Sequence, residues 1–141
     1  MQPGGLTISR VGLSLLALLG VVNIVRGCLH AFLPDSGAGS IAHFDLDQGG
    51  QTVIFLLATT GVGQIGAGLI DLAVAARYRA FALPLMAIEA LKAALGLFIA
   101  YVSKPPPHEI PGRAGMVATV AVLAIALAWE LGRRLRRDPK A

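Results

Sequence analysis

Seven polar side chains stand inside long apolar stretches of this chain: Asn23, Arg26, His30, Gln64, Asp71, Glu89 and Lys92. At about 100° per residue, Asn23, Arg26 and His30 fall within an arc of about 60°, so they form one face of a helix. A guanidinium and an imidazole on one face can hold an anion or the carbonyl oxygens of a lipid-soluble ligand such as a quinone. Gln64 and Asp71 are seven residues apart, which brings them within about 20° of one line. Glu89 and Lys92, three apart, can form an ion pair along a helix. Arg26 and Lys92 against Asp71 and Glu89 sum to zero. Asp71 and Glu89 are also the carboxylates that could titrate in proton-coupled transport. Ligand binding is thus assigned to Asn23, Arg26, His30, Gln64, Glu89 and Lys92, and proton titration to Asp71 and Glu89.

Such groups cost a few kcal/mol each at membrane depth, and the surrounding composition says that a membrane is where they are. The chain has 141 residues, 55% hydrophobic and only 14% charged, with a mean hydropathy of +0.71. A soluble domain carries about twice that share of charge. Apolar runs at 8–32, 52–76, 80–102 and 114–131 are each long enough for a tilted transmembrane helix. The expected fold is all-α, a single membrane domain at 1–141 built as an up-down-up-down four-helix bundle, with an acidic, Gly-rich outer loop over 33–50. Arg10, Arg77, Arg79, Arg133, Arg134, Arg136, Arg137 and Lys140 fall on one side, against Lys104 and Arg113 on the other. By the positive-inside rule both termini are cytoplasmic. The outer segments then hold Asp35, Asp45, Asp47, Pro107 and Glu109, while Glu130 and Asp138 lie at the inner end.

Small residues suggest how the helices meet. Gly20 and Gly27 flank the polar face of the first span. An i, i+4 row of Thr59, Gly63, Ala67, Asp71 and Ala75 reads as a packing seam on the second, and Ala114, Ala118, Ala121 and Ala128 as a packing stripe on the fourth. On this plan an outer pocket forms around Asn23, Arg26 and His30, with Gln64 and the Glu89–Lys92 pair below it. A structural reading of the same residues stands beside it: mutual satisfaction that fixes one helix register.

Other chemistry is poorly matched. His30, Asp35, His43, Asp45 and Asp47 have no compact metal-ligand spacing, so no metal is assigned. Only His30 lies in a span, which excludes bis-His haem within one chain. Gly61-Val62-Gly63-Gln64-Ile65-Gly66 lacks the preceding strand of a dinucleotide fold. Ser40 with His43 is the nearest approach to a nucleophile and base, without an acid or oxyanion donor, so no catalytic residue is assigned. The first span is too long for a signal peptide h-region, and Arg26 spoils a lipoprotein site before Cys28, the single cysteine. The cationic tail carries no interleaved aromatics, which argues against nucleic acid and for the lipid surface.

Arg26-Gly27-Cys28-Leu29-His30, closing the first span, and Gly66-Ala67-Gly68-Leu69-Ile70-Asp71-Leu72, running into Arg77-Tyr78-Arg79, resemble the DoxX-like group of small bacterial membrane proteins over the first two-thirds of the chain. The group includes subunits that accompany quinone-linked sulfur oxidation. The resemblance implies an accessory or quinone-site subunit of a bacterial inner membrane; a single Cys28 supplies no thiol pair for redox chemistry of its own. The alternatives are a homo-oligomeric transporter or proton-coupled carrier, and a scaffold for a larger membrane partner.

Overall fold

The computed structural model describes residues 8–106 and 111–137, and among them it is all-helical, without strands. Pro107, Glu109, Asp138 and Lys140 lie outside the described residues. The elements are α1 (Arg10–Phe32), α2 (Gly50–Ala76), a 3₁₀ turn (Arg79–Phe81) leading into α3 (Ala82–Phe98), a π-helical turn (Ile99–Ser103) and α4 (Arg113–Arg137). Four stretches, Arg10–Phe32, Gly50–Ala76, Arg79–Ser103 and Arg113–Arg136, are long and apolar enough to cross a membrane, which makes this a multi-pass membrane protein.

The helix ends follow local chemistry. Pro34 cannot donate a backbone hydrogen bond and stops α1 just after the Leu33 N–H reaches the Leu29 carbonyl at 3.1 Å. Gly49 takes φ +72°, a left-handed turn open to glycine, and its carbonyl accepts from Thr52 and Val53 to start α2. Pro105 forces Lys104 out of the helical region, to φ −143° and ψ 64°, and closes the π turn.

The chain forms two compact units, Leu15–Ala76 and Met1–Ser14 with Arg77–Ala141. In the first, α1 and α2 run antiparallel in backbone contact. A Cβ on Gly20 would lie 2.8 Å from the Gly68 carbonyl oxygen and one on Gly68 2.5 Å from that of Gly20; Gly27 and Gly61 repeat the relationship at 2.6 and 2.7 Å. The seam on α2 therefore passes through Gly61 and Gly68. It does not pass through Thr59 and Gly63, which are exposed. The reason is rotational: an i, i+4 row drifts about 40° per step, whereas residues seven apart drift about 20° and stay against the partner.

In the second unit α3 packs on α4. Arg113 reaches Ala100 and Met116 meets Gly96, so the sequence advances along α4 as it retreats along α3 and the two are antiparallel. The buried positions of α4 are Leu123, Ala126 and Glu130. The expected stripe of Ala114, Ala118, Ala121 and Ala128 is exposed, because the larger Leu123 removes more apolar area and takes the packed face. Many large apolar side chains on all four helices remain exposed, including Phe32, Phe55, Ile88 and Ile125.

Candidate functional site

The glycine contacts of α1 and α2 set the first polar cluster. With Gly20 lacking a Cβ, Asp71 fits beside it, where an added Cβ would stand 3.0 Å from the Asp71 Cβ. Asp71 is fully buried, and Asn23 Nδ2 donates to its Oδ2 at 3.1 Å. A buried carboxylate needs such donors, since burying polar groups unpaired is costly. Half-buried Gln64 adds a buried Oε1 that accepts no hydrogen bond from the described residues.

At the far end of α1, His30 Nδ1 donates to the Ser36 carbonyl at 2.8 Å; a carbonyl can only accept, so Nδ1 carries the proton and Nε2 is the second nitrogen. Ser36 is buried in a left-handed conformation, φ 53°, followed by Gly37 at φ 75°. This turn folds around Asp35, whose carboxylate accepts from the N–H groups of Ser40 at 2.6 Å, Gly37 at 2.9 Å and Gly39 at 3.1 Å. The Ser40 and Gly37 N–H groups, assisted by the Ser40 hydroxyl, hold the Asp35 carboxyl down at about 2. Ser40 Oγ donates to Asp35 Oδ1 at 3.1 Å. Arg26 is exposed on α1 and makes no hydrogen bond or ion pair with the described residues.

The second unit holds polar contacts of its own. Lys92 Nζ donates to Glu89 Oε1 at 2.5 Å, joining an exposed ammonium to a buried carboxylate. Arg113 Nη2 donates to the Ala100 carbonyl at 3.2 Å, while its guanidinium lies 4.1 Å from the centre of the Tyr101 ring. Glu130, buried, accepts the Ser9 N–H with both oxygens at 3.2 Å and also the Ser9 hydroxyl; Arg133 Nη1 lies 3.3 Å from it.

Of the residues expected to form a site, the structure joins Asn23 to Asp71 and Glu89 to Lys92, and ties His30 to the loop. The contacts not foreseen include Ser9 with Glu130, Asp35 with its loop, and Arg113 with Tyr101. Only Asp35 had a local signal, an Asp followed by Ser-Gly-Ala-Gly-Ser, the composition of a turn that bonds its own side chain. No protein-family model, curated protein or solved structure matches the chain.

Proposed function

We propose that this protein is an accessory subunit of the bacterial cytoplasmic membrane, crossing it four times in an up-down bundle with both termini inside. In this reading it holds a quinone or another lipid-soluble, oxygen-rich ligand in its outer half. The supporting observation is the division of labour on one face of α1. Asn23 is engaged by Asp71 and His30 by Ser36, which leaves Arg26 exposed as the cation of that face. An exposed guanidinium inside a span needs a counter-group, and an anionic or carbonyl-bearing ligand supplies one. Asn23 and His30, held by their own partners, keep the helix register that presents Arg26.

The test uses a photoreactive ubiquinone analogue with the full chain in nanodiscs, crosslinks being mapped by mass spectrometry. Crosslinking on α1 near Arg26 that falls at least about tenfold in Arg26→Leu, the loss of about 1.4 kcal/mol of binding, with helicity unchanged, is the expected result. Equal labelling of native protein and a folded Arg26→Leu variant overturns the reading.

Burial of Asp71 and Glu89 favours a second reading, a proton-coupled carrier. Vesicles carrying the protein in one orientation would then show solute flux driven by a pH gradient and lost in Glu89→Gln; the absence of any such flux dismisses it.

A further inference from the structure

The unit that contains α3, α4 and the start of α1 carries a surface of different character at one of its ends. The Ser9–Glu130 contact puts the first turn of α1 beside the last turns of α4. The antiparallel register of α3 on α4, with Ala100 at Arg113 and Gly96 at Met116, carries the entry to α3 to that same end. Arg10, Arg77, Arg79 and Arg136 are all exposed there. The acid of this end among the described residues, Glu130, is committed to Ser9 and Arg133, so none of these four arginines is neutralised by a described carboxylate. Arg136 Nε donates to the Gly132 carbonyl at 3.2 Å, which fixes the side chain and leaves its terminal nitrogens for another acceptor.

Aromatic rings accompany the arginines. Tyr78 sits between Arg77 and Arg79, Phe81 follows in the 3₁₀ turn, and Trp129 lies about one turn before Arg133; all three are exposed. Beyond them the exposed side chains are aliphatic, Ile88 and Leu91 on α3, Val122 and Ile125 on α4. Aliphatic, then aromatic, then cationic is the order in which a bilayer changes from hydrocarbon to headgroup. A nucleic-acid surface would set the same charges in water, without an apolar wall rising behind them.

We propose that this end is a binding surface for anionic phospholipid, with Arg10, Arg77, Arg79 and Arg136 on the phosphates and Tyr78, Phe81 and Trp129 at the acyl-ester level. Guanidinium groups suit this occupant, because each can donate two parallel hydrogen bonds to phosphate oxygens. The inference does not depend on what the outer half binds.

Trp129, 59% exposed, is the single tryptophan of the chain and reports its own lipid neighbours. The full protein is reconstituted in mixed bilayers in which either phosphatidylglycerol or phosphatidylcholine carries brominated chains, which quench tryptophan on contact. At equal mole fraction, brominated phosphatidylglycerol quenches more strongly at low salt, and the ratio falls toward one in about 0.5 M salt, where charges are screened within a few Å. Each arginine changed to Gln, in Arg77→Gln, Arg79→Gln and Arg136→Gln singly and together, lowers the association ratio by up to about fivefold. Triple replacement by Lys keeps most of it. Equal quenching by the two lipids, or a folded triple Gln variant that keeps the native ratio, overturns the proposal. So does abolition of the phosphatidylglycerol preference by a stoichiometric short DNA duplex, which reassigns the surface to polynucleotide. The single variants keep the test decisive if the triple variant fails to insert.

Discussion

Glu130 completes the N-terminus of α1 from 121 residues away: it accepts the Ser9 N–H through both carboxylate oxygens and the Ser9 hydroxyl as well. Ser9 in turn accepts the Gly12 N–H on its Oγ at 3.0 Å, the bond of an N-cap to the third helical residue. In a capping box a Glu at that third position returns the bond to the cap. Here the position is Gly12, whose missing Cβ would lie 3.3 Å from Glu130 Oε1, and a carboxylate from another helix takes its place.

Ser9→Ala removes one cap and costs about 1 kcal/mol. Glu130→Ala leaves the Ser9 N–H and Arg133 without their acceptor and costs about 1–3 kcal/mol. Denaturant unfolding in micelles measures both. Because they act on one network, the double variant loses less than the two added together. Strict additivity removes the cap relay.

Gly61→Ala and Gly68→Ala each drive a Cβ to within 2.7 Å or less of a facing backbone atom and destabilise by about 1–3 kcal/mol. Gly63→Ala and Gly66→Ala meet nothing within 4 Å, so helix propensity alone acts and stabilises them by up to about 1 kcal/mol. Opposite signs within one helix, read in a single unfolding series, are the expected result; a uniform response contradicts the seam.

These contrasts show what was legible in the chain and what was not. Four spans follow from apolar length, because hydrocarbon admits little else than helix. The Glu89–Lys92 pair is local, three residues apart, and the sequence shows it. Asn23 with Asp71, 48 residues apart, and Ser9 with Glu130 depend on which helices meet and in what register, which residue type does not encode. The seam went astray for a related reason: Gly63 and Gly61 are equally small, and only the partner helix, with Gly20 and Gly27 also seven apart, selects Gly61 and Gly68.

The Asn23–Asp71 bond should show as a coupling energy. Interhelical hydrogen bonds in membranes average about 0.6 kcal/mol and reach about 1.7, so a double-mutant cycle with Asn23→Ala and Asp71→Ala returns a coupling in that range. A coupling of zero means that Asp71 draws its support from its other neighbours.

Asp35 gives the loop between α1 and α2 a defined acid limit. Its carboxyl is held at about 2 against an ordinary 3.8, so the native loop binds fewer protons than the unfolded one in this interval. The stabilisation is complete above pH about 3.8 and is lost as pH falls through about 2. Hydrogen exchange of the Ser40 and Gly37 amides should therefore accelerate, relative to its ordinary pH dependence, only below pH about 3.8. In Asp35→Asn that protection is already reduced at neutral pH and no acid step remains. A wild-type profile without the step contradicts the turn.

Arg113 opens α4, where a cation is disfavoured by the helix dipole, and its contacts explain why it is there. Its Nη2 donates to the Ala100 carbonyl, one of the acceptors that the π turn Ile99–Ser103 presents near the end of its helix, while Tyr101 offers its ring at 4.1 Å. One side chain thus fastens the exit of α3 to the entry of α4. Arg113→Lys keeps the charge but loses the flat stacking surface and the fixed fork, so part of the fastening goes; Arg113→Ala loses all of it. Tyr101→Leu keeps the apolar bulk and removes only the cation–π attraction, about 0.5–1 kcal/mol at an exposed site. Proteolysis of the connecting loop in micelles ranks them: cleavage rises from native to Tyr101→Leu and Arg113→Lys, and is fastest in Arg113→Ala. If Arg113→Lys protects the loop as well as the native residue does, charge alone is sufficient and the stacking carries no weight.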